Sequence, residues 1–303
     1  MFYVNEPRNP LFGSTSCGPV KVLGVPMEDT LSFRPGTRFA PGVLRLITPY
    51  VEANPTEDLG IDPVGGICDL GDVQLKQGLV NDNLARVVEV EEEVLRRGDL
   101  VINIGGEHTL SLAVARAIGR AYGSVGAFIQ FDAHLDLRRE WPPGQALSHA
   151  TFARVLLDEL RPTIYVNVGF RGYDREELEY AQSHGAILVD SVEAAEMSLG
   201  EFYEVLKPLD GVKGPVHLSI DLDVLDPSVA PGVGNPEEGG LSYLKLYGLL
   251  SVVIPMVADR LRAVDIVEYS PPNDVSNITA VLVSRLILDA ANLYLWSRGC
   301  LRS

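Results

Sequence analysis

The chain has 303 residues, with 25 Lys and Arg against 41 Asp and Glu, a formal net charge of −16. A hydrophobic fraction of 46% with 22% charged residues is that of an ordinary globular protein and excludes intrinsic disorder. The acidic excess argues against nucleic acid or an anionic membrane surface as a partner, and is compatible with a cationic small molecule or metal ions.

Short apolar runs rich in β-branched residues predict strands at 21–26, 67–73, 100–105, 126–131, 163–169, 186–190, 216–221 and 263–269. Stretches of helical period predict helices at 81–97, 109–121, 148–159, 174–183, 192–206, 242–258 and 275–297. Several strands are continuously apolar, which marks strands covered on both faces. The alternation indicates one mainly parallel sheet with helices on both sides. Pro- and Gly-rich stretches at 34–42, 141–144 and 227–240 punctuate this pattern without isolating a unit, so 1–303 is expected to be one domain, with 1–20 as an N-terminal arm. Cys17, Cys68 and Cys300 form no CxxC pair and leave an odd thiol. That excludes a disulfide framework and a thiolate zinc cluster, and favours a reducing compartment. With no signal-like start and no uninterrupted apolar stretch of about 18 residues, a cytoplasmic chain without membrane contact is expected.

In parallel α/β sheets, ligands sit beyond the carboxyl ends of the strands. After 100–105 comes Gly106-Glu107-His108, and after 126–131 comes Asp132-Ala133-His134-Leu135-Asp136. The strand 216–221 runs into Asp221-Leu222-Asp223, and the strand 263–269 carries Glu268. Four strands therefore deliver acids or histidines to one sheet edge. Asp132, His134 and Asp136 alternate, so an extended chain would turn them to one side. Helix capping is the bland alternative for an isolated DxHxD, and it loses weight beside the other three sites. Asp221 and Asp223 would repel each other strongly in a buried place unless a cation compensates them. Asp226, before Pro227, reads as a turn former. GGEHT at 105–109 lacks the spacing of a phosphate loop. Of the five histidines, His108, His134 and His149 fall in or beside the cluster, while His184 and His217 are taken as structural. Carboxylates with imidazole suit Mn, Co or Ni. Four aspartates and two histidines suffice for two metals if carboxylates bridge, and such a pair activates water for hydrolysis.

GGEHT, FDAHLDLR and SIDLDVLDPSVAPGVGNPEEGGLS, in this order, resemble the ureohydrolase family of arginase and agmatinase; VPMEDTLSFRPGTRFAPGVLR and ICDLGDV resemble its agmatinase branch. The likeness runs from about residue 20 to 297. It implies a three-layer α/β/α arginase-like fold with an eight-stranded mainly parallel sheet and two Mn2+ per subunit, with Ni2+ or Co2+ as alternatives. One metal would take His108, Asp132, Asp136 and Asp221; the other would take His134, Asp132, Asp221 and Asp223. Glu268 matches the carboxylate that grips the substrate guanidinium, against the alternative of a turn-capping acid. His149 falls where the family keeps a proton-shuttling histidine, against an ordinary helix-start histidine. The implied reaction cleaves a guanidino compound to urea and an amine, with agmatine ahead of 4-guanidinobutyrate and arginine third. Arginine is disfavoured because Arg138, Gln145 and Leu147 stand where arginase binds the α-amino acid end. Arg138 is weighed both as a surface ion-pair partner and as a substrate-binding residue for an ω-guanidino acid. A non-catalytic family member is a further alternative. The family also implies a homotrimer or homohexamer and no nucleic-acid or membrane partner.

Overall fold

The computed structural model describes residues 3–15, 17–98 and 100–300. Its frame is one nine-stranded sheet: β1 (Val4–Asn5), β2 (Val20–Val25), β3 (Ile67–Val73), β4 (Leu100–Gly105), β5 (Ala127–Phe131), β6 (Ile164–Phe170), β7 (Ile187–Asp190), β8 (Val216–Asp221) and β9 (Leu261–Val267). The order across the sheet is β1-β3-β2-β4-β9-β8-β5-β6-β7. All neighbours are parallel except β1, which pairs antiparallel with β3. The expected eight strands are present within a few residues of their predicted bounds, and the ninth is a correction. Two residues of the N-terminal arm, too short to show a period, close the sheet edge at β3.

The helices are α1 (Ala40–Ile47), α2 (Pro63–Gly66), α3 (Val80–Leu95), α4 (Leu110–Tyr122), α5 (Phe152–Leu160), α6 (Arg175–Ser183), α7 (Ser191–Glu196), α8 (Leu199–Leu206), α9 (Tyr243–Val257) and α10 (Ile278–Ser297). Two apolar clusters cover opposite sheet faces and give the three layers: α3, α4, α5 and α6 pack on one, and α1, α8, α9 and α10 on the other. The sheet between them is buried on both sides, which is why its strands lack alternation. By length and composition α10 could cross a bilayer, yet 83% of its apolar window is buried inside the protein, so it is a core helix.

Three expectations are corrected. The stretch 34–42 is more than punctuation, because Pro41 lies in the first turn of α1, where a missing N–H costs nothing. The helix expected over 192–206 is two, because Ser198 and Glu201 form a capping box that starts α8. Cys17 and Cys68 are joined by a disulfide, leaving Cys300 as the free thiol. Cys68 lies in β3 and Cys17 three residues before β2, the parallel neighbour of β3, so the bridge joins residues 51 apart in sequence near the start of two adjacent strands. With two of the three thiols bridged, cysteine usage no longer points to a reducing compartment.

The central strands share one further feature. Asn103 aligns with Asp265, Asp265 with Ser219, Ser219 with Gln130, and Gln130 with Asn167. A single register row of fully buried polar residues thus crosses β4, β9, β8, β5 and β6 on the face covered by α3, α4 and α5.

Candidate active site

The acids and histidines lie where the four adjacent strands β4, β9, β8 and β5 end. Gly106 is required after β4, since a Cβ there would lie 1.8 Å from the Met27 carbonyl oxygen. Its own carbonyl accepts the Glu268 N–H at 3.0 Å, tying the end of β9 to the end of β4.

His108 is the centre of the deeper half. Its Nδ1 lies 3.1 Å from Asp132 Oδ2, 3.2 Å from Asp136 Oδ2 and 3.2 Å from Asp221 Oδ2. This buried nitrogen makes no hydrogen bond. His134 centres the shallower half, with Nδ1 3.0 Å from Asp223 Oδ2 and 3.6 Å from Asp132 Oδ1. Asp132 therefore offers one oxygen to each histidine. Asp221 uses its other oxygen to accept the Asp223 N–H at 2.9 Å, while Asp223 Oδ1 accepts the Ala133 N–H at 3.0 Å. Two ligand groups sharing Asp132 emerge: His108, Asp132 and Asp136, and Asp132, His134 and Asp223.

The extended DxHxD segment assumed from alternation is corrected. Asp136 adopts a left-handed backbone, φ 54°, so the chain turns and returns the Asp136 carboxylate to the His108 side. Glu268 is likewise left-handed, φ 64°. Non-glycine residues seldom take this conformation; of the five that do among the described residues, Asp136 and Glu268 fall in the cluster.

The electrostatics follow from burial. Burial opposes charge on Asp132, but His108 and His134 on either side outweigh it and hold its carboxyl well below the usual range. Burial and the Asp132 charge push Asp136 up to about 8. Burial and the charges of Asp223 and Asp132 push Asp221 well up. Burial disfavours charge on both histidines, yet the surrounding carboxylates raise them well above the ordinary imidazole value. The cluster thus retains protons wherever its excess of anionic oxygens is not met by another cation. Oxygen-rich donors with one imidazole on each side fit two divalent ions of the Mn type.

Around this cluster stand groups that spacing did not reveal. Gln130 donates to Asp132 Oδ2 at 2.6 Å, and Asn167 donates to the His134 carbonyl at 2.9 Å. Glu237 Oε1 lies 3.5 Å from His134 Nε2. Glu107, which is not among the ligand groups, accepts from Asp29 N, Thr30 N and Thr30 Oγ1, each at 2.7 Å. The latched Thr30 accepts the His149 N–H at 3.0 Å, and Ser32 Oγ meets His149 Nε2 at 2.9 Å. Burial, with the charges of His134 and His108, lowers His149 to about 4, so its ring is neutral. Residues 148–151, expected to start a helix, form the turn that places this ring.

His134, Asp136 and His149 open onto one cavity, walled by Ser32, Arg138, Trp141, Tyr173, Glu177, Asn235 and Glu237. Glu268 is buried beside the cluster: its Oε1 accepts the His108 N–H at 2.8 Å. Burial, and then the nearby Glu107 charge, push its carboxyl well up, although the His108 N–H opposes this. Arg138 pairs closely with Asp174, approaches Glu177 at 3.6 Å and lies over the Trp141 ring. Gln145 gives its amide to the Leu147 carbonyl at 3.1 Å. Asp226 accepts from Ser228 N and Gly239 N, each at 3.0 Å, as expected of a turn former. His217 lies 2.6 Å from Asp265 in the core, and His184 is at the surface.

Residues 19–292 match the Arginase family. An agmatinase of Bacillus anthracis is 34% identical over 276 residues, covering 88% of this chain and 89% of that one. A guanidinobutyrase of Pseudomonas aeruginosa is 32% identical over 280 residues, covering 88% and 83%. The crystal structure of agmatine ureohydrolase of Thermoplasma volcanium superposes with a TM-score of 0.82 at 26% identity, over 96% of this chain and 97% of that one. The chain belongs to the arginase family of α/β metal-dependent amidinohydrolases.

Proposed function

We propose that this chain hydrolyses agmatine to urea and putrescine, as a polyamine-forming ureohydrolase. The observation that carries the substrate is the state of Arg138. It is the cation on the cavity wall, and Asp174, Glu177 and the Trp141 ring already occupy it. A carboxylate at the far end of the substrate would have to displace Asp174. An ammonium there meets Glu237 and the Tyr173 ring, which suit a cation. The net charge of −16 adds weak, salt-screened attraction for a dication.

In this proposal His108, Asp132, Asp136 and Asp221 hold one Mn2+, and His134, Asp132, Asp221 and Asp223 hold the other, with Ni2+ or Co2+ as alternatives. A pair of divalent ions supplies a water activated near neutral pH and a Lewis acid. Glu268 would take the guanidinium in the bidentate geometry that carboxylates offer. Asn235, whose buried Oδ1 has no hydrogen-bond partner, provides a second acceptor on the wall. His149 is neutral, so it must accept a proton before passing one to the departing nitrogen; Ser32 and Thr30 hold it for that exchange. The proposal also carries one ureohydrolase domain with an arm over 1–20, a cytoplasmic location and a homotrimer or homohexamer, to be tested by fractionation and sedimentation.

The second reading is an ω-guanidino acid hydrolase, favoured by the position of Arg138 on the cavity wall. A urea-release screen over agmatine, 4-guanidinobutyrate and arginine with defined metals tests both. Agmatine is expected to turn over best, and Arg138→Ala to spare it. If guanidinobutyrate is preferred and Arg138→Ala abolishes that preference, the second reading replaces the first.

A further inference from the structure

The polar row beneath the site holds groups that the proposed reaction does not use. Asp265 is fully buried and accepts from Asn103 Nδ2 at 2.9 Å and Ser111 Oγ at 2.6 Å, with His217 Nε2 at 2.6 Å. Glu91 of α3 is buried nearby, and burial with the Asp265 charge pushes its carboxyl well up. Asn103, Ser111 and His217 converge on the Asp265 carboxylate, whereas Glu91 has no hydrogen-bond partner, so Asp265 is the group placed to hold the negative charge. From it a chain of contacts runs to the site: Ser111 Oγ lies 3.2 Å from Ser219 Oγ, which lies 2.8 Å from His108 Nε2.

Each link in this chain has one allowed direction. A carboxylate only accepts, and a hydroxyl has one proton to give. Ser111 gives its proton to Asp265, so it must accept from Ser219. Ser219 has then spent its proton, so its oxygen must accept from His108 Nε2–H. The proton of a neutral His108 ring is thereby held on Nε2, and the Nδ1 lone pair faces Asp132, Asp136 and Asp221. Phe152, 4.3 Å away between ring centroids, packs against the same ring.

We propose that Asp265 is a positioning residue that sets His108 as an Nδ1 metal ligand through Ser111 and Ser219. The proposal rests on the two-metal reading above. In Asp265→Asn the amide can donate, so the chain can run backwards and leave a proton on Nδ1, facing the metal side. Ser111→Ala cuts the chain, and Ser111→Thr keeps the hydroxyl.

The test is equilibrium binding of Mn2+ to the full chain against a competing chelator. Asp265→Asn and Ser111→Ala should each weaken one of two equivalents by about 10–100-fold, with Ser111→Thr restoring wild-type affinity. In Zn2+-loaded chain with 15N-histidine, the His108 Hε2 resonance should be strongly downfield and slow to exchange, and should move upfield in Ser111→Ala. A merely structural role would lower thermal stability and weaken both equivalents together, without restoration by threonine. If Asp265→Asn does not fold, Ser111→Ala decides. Mn2+ constants within about twofold of wild type and an unmoved Hε2 in Ser111→Ala overturn the proposal. A wild-type chain that binds fewer than two Mn2+ overturns the two-metal reading, and this inference with it.

Discussion

The two histidines of the cluster stand in opposite surroundings. The His108 side chain is 1% exposed, ringed by three carboxylates and anchored from below by a serine of β8 and a serine of α4. The His134 side chain is 26% exposed, opens onto the cavity, and has behind it the half-exposed Glu237 of a loop. The deeper half is tied to the sheet through Asp221 at the end of β8 and through Ser219 beneath His108, whose faces the strand register fixes. The other is set by loops, which can adjust as ligand and water come and go. On the two-metal proposal, a centre built this way would keep one ion fixed and leave the other open to substrate. The shared Asp132 is the group on which both halves depend.

The largest expected effect therefore comes from breaking what the halves share. Asp132→Ala should cost essentially all urea release and lower bound metal from two equivalents toward none, read by elemental analysis of the purified chain. Retained turnover in that variant, or full activity after chelation, would remove the binuclear proposal. A smaller effect is expected at the open side. His149→Asn should keep both metals and slow turnover by about 10²–10⁴-fold, the range for general acid–base catalysis. Because His149 is lowered to about 4, its proton-accepting form is complete throughout the neutral range and is lost only as pH falls toward 4. The wild-type to variant rate ratio should accordingly be flat from about pH 6 upward and shrink below about pH 5. A ratio that instead rises with pH through 6.5 would indicate an ordinary, solvated histidine.

Most of this frame was legible in the sequence, and what was not has particular causes. Continuous apolar runs marked eight strands, and the residue types after four of them located the cluster. The polar row was visible as single anomalies: Asn103 in LVINIG, Gln130 in AFIQF, Asn167 in IYVNVGF, Ser219 in VHLSID and Asp265 in LRAVDIV. Only the pairing register turns those five into one layer. His217, Ser219 and Asp221 alternate along β8, a period-two signal that gave them a common face. His217 is a core residue as expected, but it meets the charged end of the His108 chain. The latch of Glu107 on Thr30 spans 77 residues and leaves no local trace. Nor does the left-handed turn at Asp136, since spacing reports period and says nothing of a single reversed φ. The Cys17–Cys68 bridge was hidden for the same reason as the row, because strand neighbours must be known first.

The finest test of the difference between the halves is the order in which metals leave. Glu237 faces His134 Nε2 at 3.5 Å, long for a hydrogen bond, from a side chain 45% exposed. A carboxylate behind a ligating imidazole raises its basicity and fixes its plane, but solvent screens this one, whereas Ser219 acts on His108 in a closed core. Dilution of Mn2+-loaded chain into chelator should then release metal in two phases, the faster belonging to the His134 half. Glu237→Gln should speed the fast phase, at the low end of the range for such partners, about tenfold or less, and leave the slow phase alone. The variant keeps shape and hydrogen-bonding capacity, so a change confined to one phase reports charge behind His134. Release in a single phase, or equal acceleration of both phases by Glu237→Gln, would mean that the halves are coupled through Asp132 more tightly than their burial differs.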